Sequence, residues 1–176
     1  MADRAPEPTP LLQRPLVQSL LLQAATRDRE TGCLTTAYLA QRAAEEIARR
    51  QRYGGRLSLL LAAVDEAGEG SGEAPSALVR LAGRIRARVR STDLVGRWEH
   101  QEILAVLPGT GLAGATRLAR RILVAGPGEP TGPPLLASIG VATWLGASED
   151  LALMVERARS GLLEARARGG GCVGVS

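Results

Sequence analysis

The sequence predicts an α/β fold, a sheet wrapped by helices, and three observations carry that prediction. Residues 56–65, Arg-Leu-Ser-Leu-Leu-Leu-Ala-Ala-Val-Asp, form a continuous apolar run of strand length, as a central strand buried on both faces would. Residues 93–107 read as two short strands joined by a polar turn, which is the pattern of a β-hairpin. Stretches with apolar residues at helical spacing lie between these strands and on either side of them.

In chain order, residues 1–10 hold three prolines and two acids with little to bury, and are expected as a flexible arm. Residues 11–25 have helical spacing with Pro15 early enough to be tolerated. The rest, residues 26–176, is expected as one domain. A helix is predicted over residues 36–51, with Leu39, Ala43 and Ile47 on one stripe, and Gly54-Gly55 ends it. The strand 56–65 finishes on Asp65, which as a lone carboxylate is expected to be solvated or capping. A glycine-rich link, 66–75, leads to a helix over 76–90 that turns Leu78, Leu81 and Ile85 inward and Arg80, Arg84, Arg86 and Arg88 mostly outward. The hairpin follows, and its turn Glu99-His100-Gln101 lacks the Gly or Asn of a two-residue loop. Gly109-Thr110-Gly111 opens a helix over 112–124, and residues 126–134 form a Gly/Pro-rich link. A strand over 135–144, a helix over 149–168 and a short strand over 172–175 complete the chain.

Composition narrows the functional classes. Apolar residues make up 45% but aromatics only 2%, with no Phe, so the core must be aliphatic, which suffices for stability. Every basic residue is arginine, and these are spread among glutamates at a formal net charge of +4, so no nucleic-acid surface is expected. Cys33 and Cys172 form neither a CxxC pair nor a disulfide framework, which suits a reducing cytoplasm. No apolar run approaches a membrane span and the N-terminus is no signal peptide.

Several separated stretches resemble the GGDEF-domain family of diguanylate cyclases. Asp28, Thr31, Gly32 and Leu39 match the family's DxLTGLxNRxxL entry, with Thr35 and Thr36 where it has Asn and Arg. Arg90-Ser-Thr-Asp93 matches its RxxD motif, and Ala137-Ser-Ile-Gly-Val-Ala142 resembles its Ser-Ile-Gly strand. Residues 156–166 resemble its ADxALYxAK stretch, with Arg159 for the aspartate, Leu163 for the tyrosine and Arg166 for the lysine. The resemblance implies a nucleotidyl-cyclase-like fold with a mostly antiparallel, five-stranded sheet. It also implies that the N-terminal helix stands where relatives often join a sensor. The chain as it begins here would carry no sensor of its own, leaving that helix free to pack on the domain or on a second copy.

In this register the signature Gly-Gly-Asp/Glu-Glu-Phe falls on Glu99, His100, Gln101, Glu102 and Ile103, and only Glu102 matches. Diguanylate synthesis needs carboxylate-held divalent cations. Gln101 supplies no charge for such an ion. Glu99 puts an anion where a bare glycine backbone would approach phosphate, and one like-charge contact at about 4 Å costs on the order of 4 kcal/mol at an effective dielectric near 20. Residues 66–75 hold no counterpart of the family's guanine reader. No catalytic residue, resident cofactor or metal is therefore expected, Asp65 being a remnant. His100, the single histidine, has no serine or cysteine partner at a recognisable spacing.

What remains is the inhibitory-type site for cyclic di-GMP, which the resemblance places on Arg90, Asp93 and Arg121. An arginine fork suits the O6 and N7 acceptors of guanine, and a carboxylate accepts from its N1 and N2 hydrogens. The expected function is a catalytically inactive module that binds cyclic di-GMP and relays it to a protein partner. Two alternatives stay open: a ligand-independent interaction scaffold, and a nucleotide-binding domain without turnover that uses Arg166 for phosphate.

Overall fold

The computed structural model describes residues 25–65, 76–99, 101–124 and 134–176. The expected arm, nearly all of the N-terminal helix, the link 66–75, His100 and most of the link 126–134 lie outside the described residues.

Helix α1 (Thr36–Tyr53) buries Leu39, Ala43 and Ile47, the stripe its spacing predicts. Strand β1 (Leu57–Val64) follows and is buried along nearly its whole length. Helix α2 (Ala77–Arg86) starts at Ser76, whose Oγ accepts from the Val79 N–H at 3.3 Å. The hairpin is β2 (Leu94–Arg97) and β3 (Glu102–Pro108). Helix α3 (Leu112–Leu123), strand β4 (Ala137–Thr143), helix α4 (Leu151–Ala167) and strand β5 (Val173–Val175) complete the order.

The strands form one five-stranded sheet in the order β2-β3-β1-β4-β5. All neighbours are antiparallel except β4 and β5, so the mostly antiparallel sheet is as expected. Each face carries its own core. Leu60, Ala62, Ile103, Ala105, Ile139 and Val141 pack with α2 and α3, whereas Leu59, Leu61, Leu104, Val106 and Ala142 pack with α1 and α4. That two-sided burial is why β1 reads as an unbroken apolar run rather than an alternating one.

Helix α4 lies unusually close to the sheet, because glycines line the contact. A Cβ at Gly140 would stand 1.7 Å from the Ala158 carbonyl oxygen, and one at Gly174 would stand 1.8 Å from that of Gly161. The side chains α4 sends toward the sheet are thereby fixed in depth.

Two expectations for α2 need correction. The helix stops at Arg86 rather than Arg90, with Arg88 N–H donating to Ile85 O at 2.9 Å in a tightened last turn. Arg84 is only 6% exposed instead of facing outward, because its guanidinium donates to Leu123 O of α3 at 3.2 Å. Its aliphatic stem can then be buried while the charged head is satisfied. Among the described residues, no helix is long and apolar enough to cross a membrane.

Candidate functional site

The two ends of the sheet carry different charge arrangements. At the end where β1 finishes, register sets Glu102 of β3, Ala63 of β1 and Ser138 of β4 side by side. Asp65 lies two residues beyond Ala63, so it shares the face of that row, the face that α4 covers. Arg159 and Arg166 stand two turns apart on α4 and project toward it.

Glu102 is 8% exposed, and a carboxylate so placed is costly unless paired. The Arg159 fork supplies the partner, with Nη1 donating to Glu102 Oε1 at 2.7 Å and Nη2 donating to Glu99 Oε1 at 2.8 Å. The Arg159 Nε lies 3.8 Å from Glu156 Oε1. The other Glu102 oxygen, Oε2, is buried without a hydrogen-bond partner among the described residues. Burial pushes the Glu102 carboxyl above its ordinary value, with the Arg159 charge opposing and the Glu99 charge adding to the rise.

Asp65 departs from the solvated or capping role expected of it. Ser138 Oγ and the Gly171 N–H donate to its Oδ2 at 2.7 and 2.8 Å. Arg166 donates from Nε to Oδ1 at 3.2 Å and from Nη2 to the Val64 carbonyl at 2.9 Å. Gly170, at φ +73°, makes this possible, since a Cβ there would come within 2.7 Å of Asp65 Oδ2. Asp65, Arg166, Gly169 and Gly170 line an open cleft of about 400 Å³. Sequence reasoning placed Arg159 and Arg166 at family positions but missed their pairing with Glu102 and Asp65. The signal was present in the two-turn spacing of the arginines, and it needed the sheet register to be read.

Arg90 and Asp93 sit at the opposite end, where β2 begins. The Arg90 N–H donates to Asp93 Oδ2 at 2.8 Å and the Asp93 N–H donates to Arg90 O at 3.1 Å, which closes a turn. Asp93 Oδ1 is buried without a partner among the described residues. Burial pushes the Asp93 carboxyl up, against the lowering by the Arg90 N–H and charge. The Arg90 side chain is exposed and lines a groove of about 450 Å³ with Arg56 and residues 109–114, at the start of α3. Arg121 is exposed in the last turn of α3, a helix about 18 Å long. No hydrogen bond or ion pair joins it to Arg90 or Asp93 among the described residues.

The remaining signature positions fall at the hairpin tip. Trp98 N–H donates to Glu102 O at 2.9 Å and Glu102 N–H to Glu99 O at 3.3 Å, which frames the turn that Gln101 occupies as an exposed residue. Ile103 is fully buried in the core on the α2 and α3 side.

Comparison with known proteins places this geometry. The family model described as "Diguanylate cyclase, GGDEF domain" matches residues 25–172. Diguanylate cyclase DgcP of Pseudomonas aeruginosa is 31% identical over 159 residues, covering 84% of this chain and 23% of DgcP. Response regulator PleD of Caulobacter vibrioides is 29% identical over 162 residues, covering 84% of this chain and 35% of PleD. The chain thus spans about a quarter to a third of the length of these curated relatives. Among solved structures, diguanylate cyclase SiaD of Pseudomonas aeruginosa, in complex with its activator SiaC, superposes with TM-score 0.76 at 28% identity over 91% of this chain and 65% of that one. The coiled coil and GGDEF domain of DgcB from Caulobacter crescentus, in complex with c-di-GMP, gives TM-score 0.78 at 15% identity over 90% of each chain, a likeness of fold alone. With one family model running from the entry turn at Asp28 to the start of β5, and the sheet it implies in place, the chain belongs to the GGDEF-domain family of diguanylate cyclases.

Proposed function

We propose that this domain is a signalling module without cyclase turnover, which binds cyclic di-GMP through Arg90, Asp93 and Arg121 and passes that state to a protein partner. The observation that carries the reading is the way Arg90 and Asp93 meet. An ordinary structural ion pair would spend the guanidinium on the carboxylate. Here the contact runs through the Arg90 backbone N–H, so the guanidinium stays exposed in its groove and Asp93 Oδ1 is buried without a partner among the described residues. The exposed fork is what the O6 and N7 acceptors of a guanine edge require, and Asp93 Oδ1 would have to be uncovered on binding to accept from N1 and N2. Arg121 adds a second cation from α3, reached by a ligand that extends along that helix. Loss of turnover follows from Gln101 and Glu99 in place of a cation ligand and a bare backbone. The complex of the relative SiaD with its activator SiaC is a precedent for a protein partner on this fold.

Calorimetric titration of the purified chain with cyclic di-GMP tests this reading. Micromolar or tighter binding that Arg90→Ala abolishes is the expected outcome. Absence of heat with a correctly folded parent would refute it and leave the ligand-independent scaffold as the better account. Formation of cyclic di-GMP from GTP and magnesium would refute the absence of turnover.

A further inference from the structure

We infer that Arg159 and Arg166 act as fixed counter-cations for Glu102 and Asp65, so that this end of the sheet is a metal-free cleft and does not hold the divalent cations that cyclase chemistry uses. This rests on the non-turnover reading above and goes beyond it, because it assigns two residues an active part in excluding the ion.

The donor set does not fit the metal. Magnesium demands near-octahedral oxygen coordination at about 2.0–2.1 Å, anchored by carboxylates. Of the oxygens present, Glu102 Oε1 is taken by Arg159 at 2.7 Å, Asp65 Oδ1 by Arg166 at 3.2 Å, and Asp65 Oδ2 by Ser138 and the Gly171 N–H at 2.7 and 2.8 Å. A cation on the remaining lone pair of Glu102 Oε1 or Asp65 Oδ1 would sit against the guanidinium bound to the same atom, and Asp65 Oδ2 already accepts two hydrogen bonds. Glu102 Oε2 is buried, and the Glu99 carboxylate, although 60% exposed, is itself paired with Arg159 at 2.8 Å. No group of three or more His, Cys, Asp or Glu is disposed to hold a metal among the described residues.

The arginines are also held in place. Helix α4 contacts the sheet through Gly140, Gly161 and Gly174, and both guanidiniums are anchored at more than one nitrogen. Withdrawing Arg159 would leave Glu102 buried and unpaired beside Glu99, which opposes its swinging out to admit an ion. At the position where the family resemblance puts an aspartate, a single residue has thus reversed the sign of the local charge.

Titration of the full chain with Mn²⁺, read as loss of the free-ion signal in electron paramagnetic resonance, tests the inference. The parent chain is expected to take up no Mn²⁺ through the low millimolar range. Arg159→Asp sets a third carboxylate beside Glu99 and Glu102 and is expected to bind Mn²⁺ at least about tenfold more tightly than the parent. Arg159→Gln removes the charge without adding a ligand, and should show a smaller gain together with a rise in melting temperature on adding Mn²⁺; it serves if the aspartate variant does not fold. Submillimolar Mn²⁺ binding by the parent that Asp65→Asn removes would overturn the inference. So would the absence of any gain in a folded variant. The metal titration can fail while GTP turnover stays absent and cyclic di-GMP still binds at Arg90, so the failure of this inference is distinct from that of the proposed function.

Discussion

Gly140→Ala tests whether the glycine contact with α4 is what sets the depth of the arginines. A methyl group at Gly140 would lie 1.7 Å from Ala158 O, 2.5 Å from Leu162 N and 2.8 Å from Ala158 C, all backbone atoms of the facing helix that no rotamer change can move aside. Restoring an ordinary separation of about 3.5–4.0 Å requires α4 to retreat by roughly 2 Å. That retreat loosens Met154, Val155, Ala158, Leu162 and Ala165, which are the buried residues of the helix along with Gly161. Overpacking a core costs about 1–3 kcal/mol where side chains can adjust. Here backbone must move, so about 3 kcal/mol or more is expected. With a urea m-value of about 2 kcal/mol/M, the unfolding midpoint falls by roughly 1.5 M. Equilibrium urea denaturation followed by far-UV circular dichroism reads this directly. A variant within about 0.5 kcal/mol of the parent, the size of an ordinary surface change, would refute the claim that this contact fixes the helix.

Two further predictions concern the entry turn. Burial opposes ionisation of Asp28, but hydrogen bonds from Thr31 at 2.9 and 2.7 Å and the Arg97 charge outweigh it and hold the carboxyl below its usual value. A lowered folded-state value contributes stability that is present above the unfolded carboxylate range and is lost as pH falls through the folded value. Asp28→Asn should therefore cost about 1–2 kcal/mol at pH 7 and progressively less as pH falls below the usual carboxylate range, measured as urea midpoints; a loss that does not change with pH would contradict the assignment. Ser76 caps α2 through Val79 and donates to Glu30 at 2.8 Å, so Ser76→Ala should lower stability by about 1 kcal/mol in the same assay.

The sequence made the strands and helices legible where a single physical signal decides them. The Leu39, Ala43 and Ile47 stripe and the unbroken run of β1 are burial patterns written in residue order, and the structure has both. Positions where two local demands compete were not legible. Helical spacing favoured continuing α2 to Arg90, but the Asp93 carboxylate captures the Arg90 N–H and closes a turn in its place. Arg84 looked like an exposed charge because its acceptor, the Leu123 carbonyl, belongs to a helix many residues away. The Arg159 pairing is of the same kind: it depends on the β3 register and the α4 depth together, and neither can be read from residues 156–166 alone.

The contrast between the two ends of the sheet bears on where a ligand could obtain binding energy. At the Asp65 end, Arg159 and Arg166 are both paired with carboxylates, and an incoming anion that drew Arg159 away would leave Glu102 buried and unpaired, a loss of about 3–5 kcal/mol when one partner of a buried pair is removed. At the other end, Arg56 and Arg90 are exposed, line one groove, and carry no ion pair among the described residues. An anionic ligand there recruits guanidiniums at no cost to the fold. Under the proposed function, the Arg90 end rather than the Asp65 end is the place where a negatively charged messenger is held. A ligand at Arg90 would then signal by what it covers or recruits at that end, and a partner would recognise the occupied groove directly.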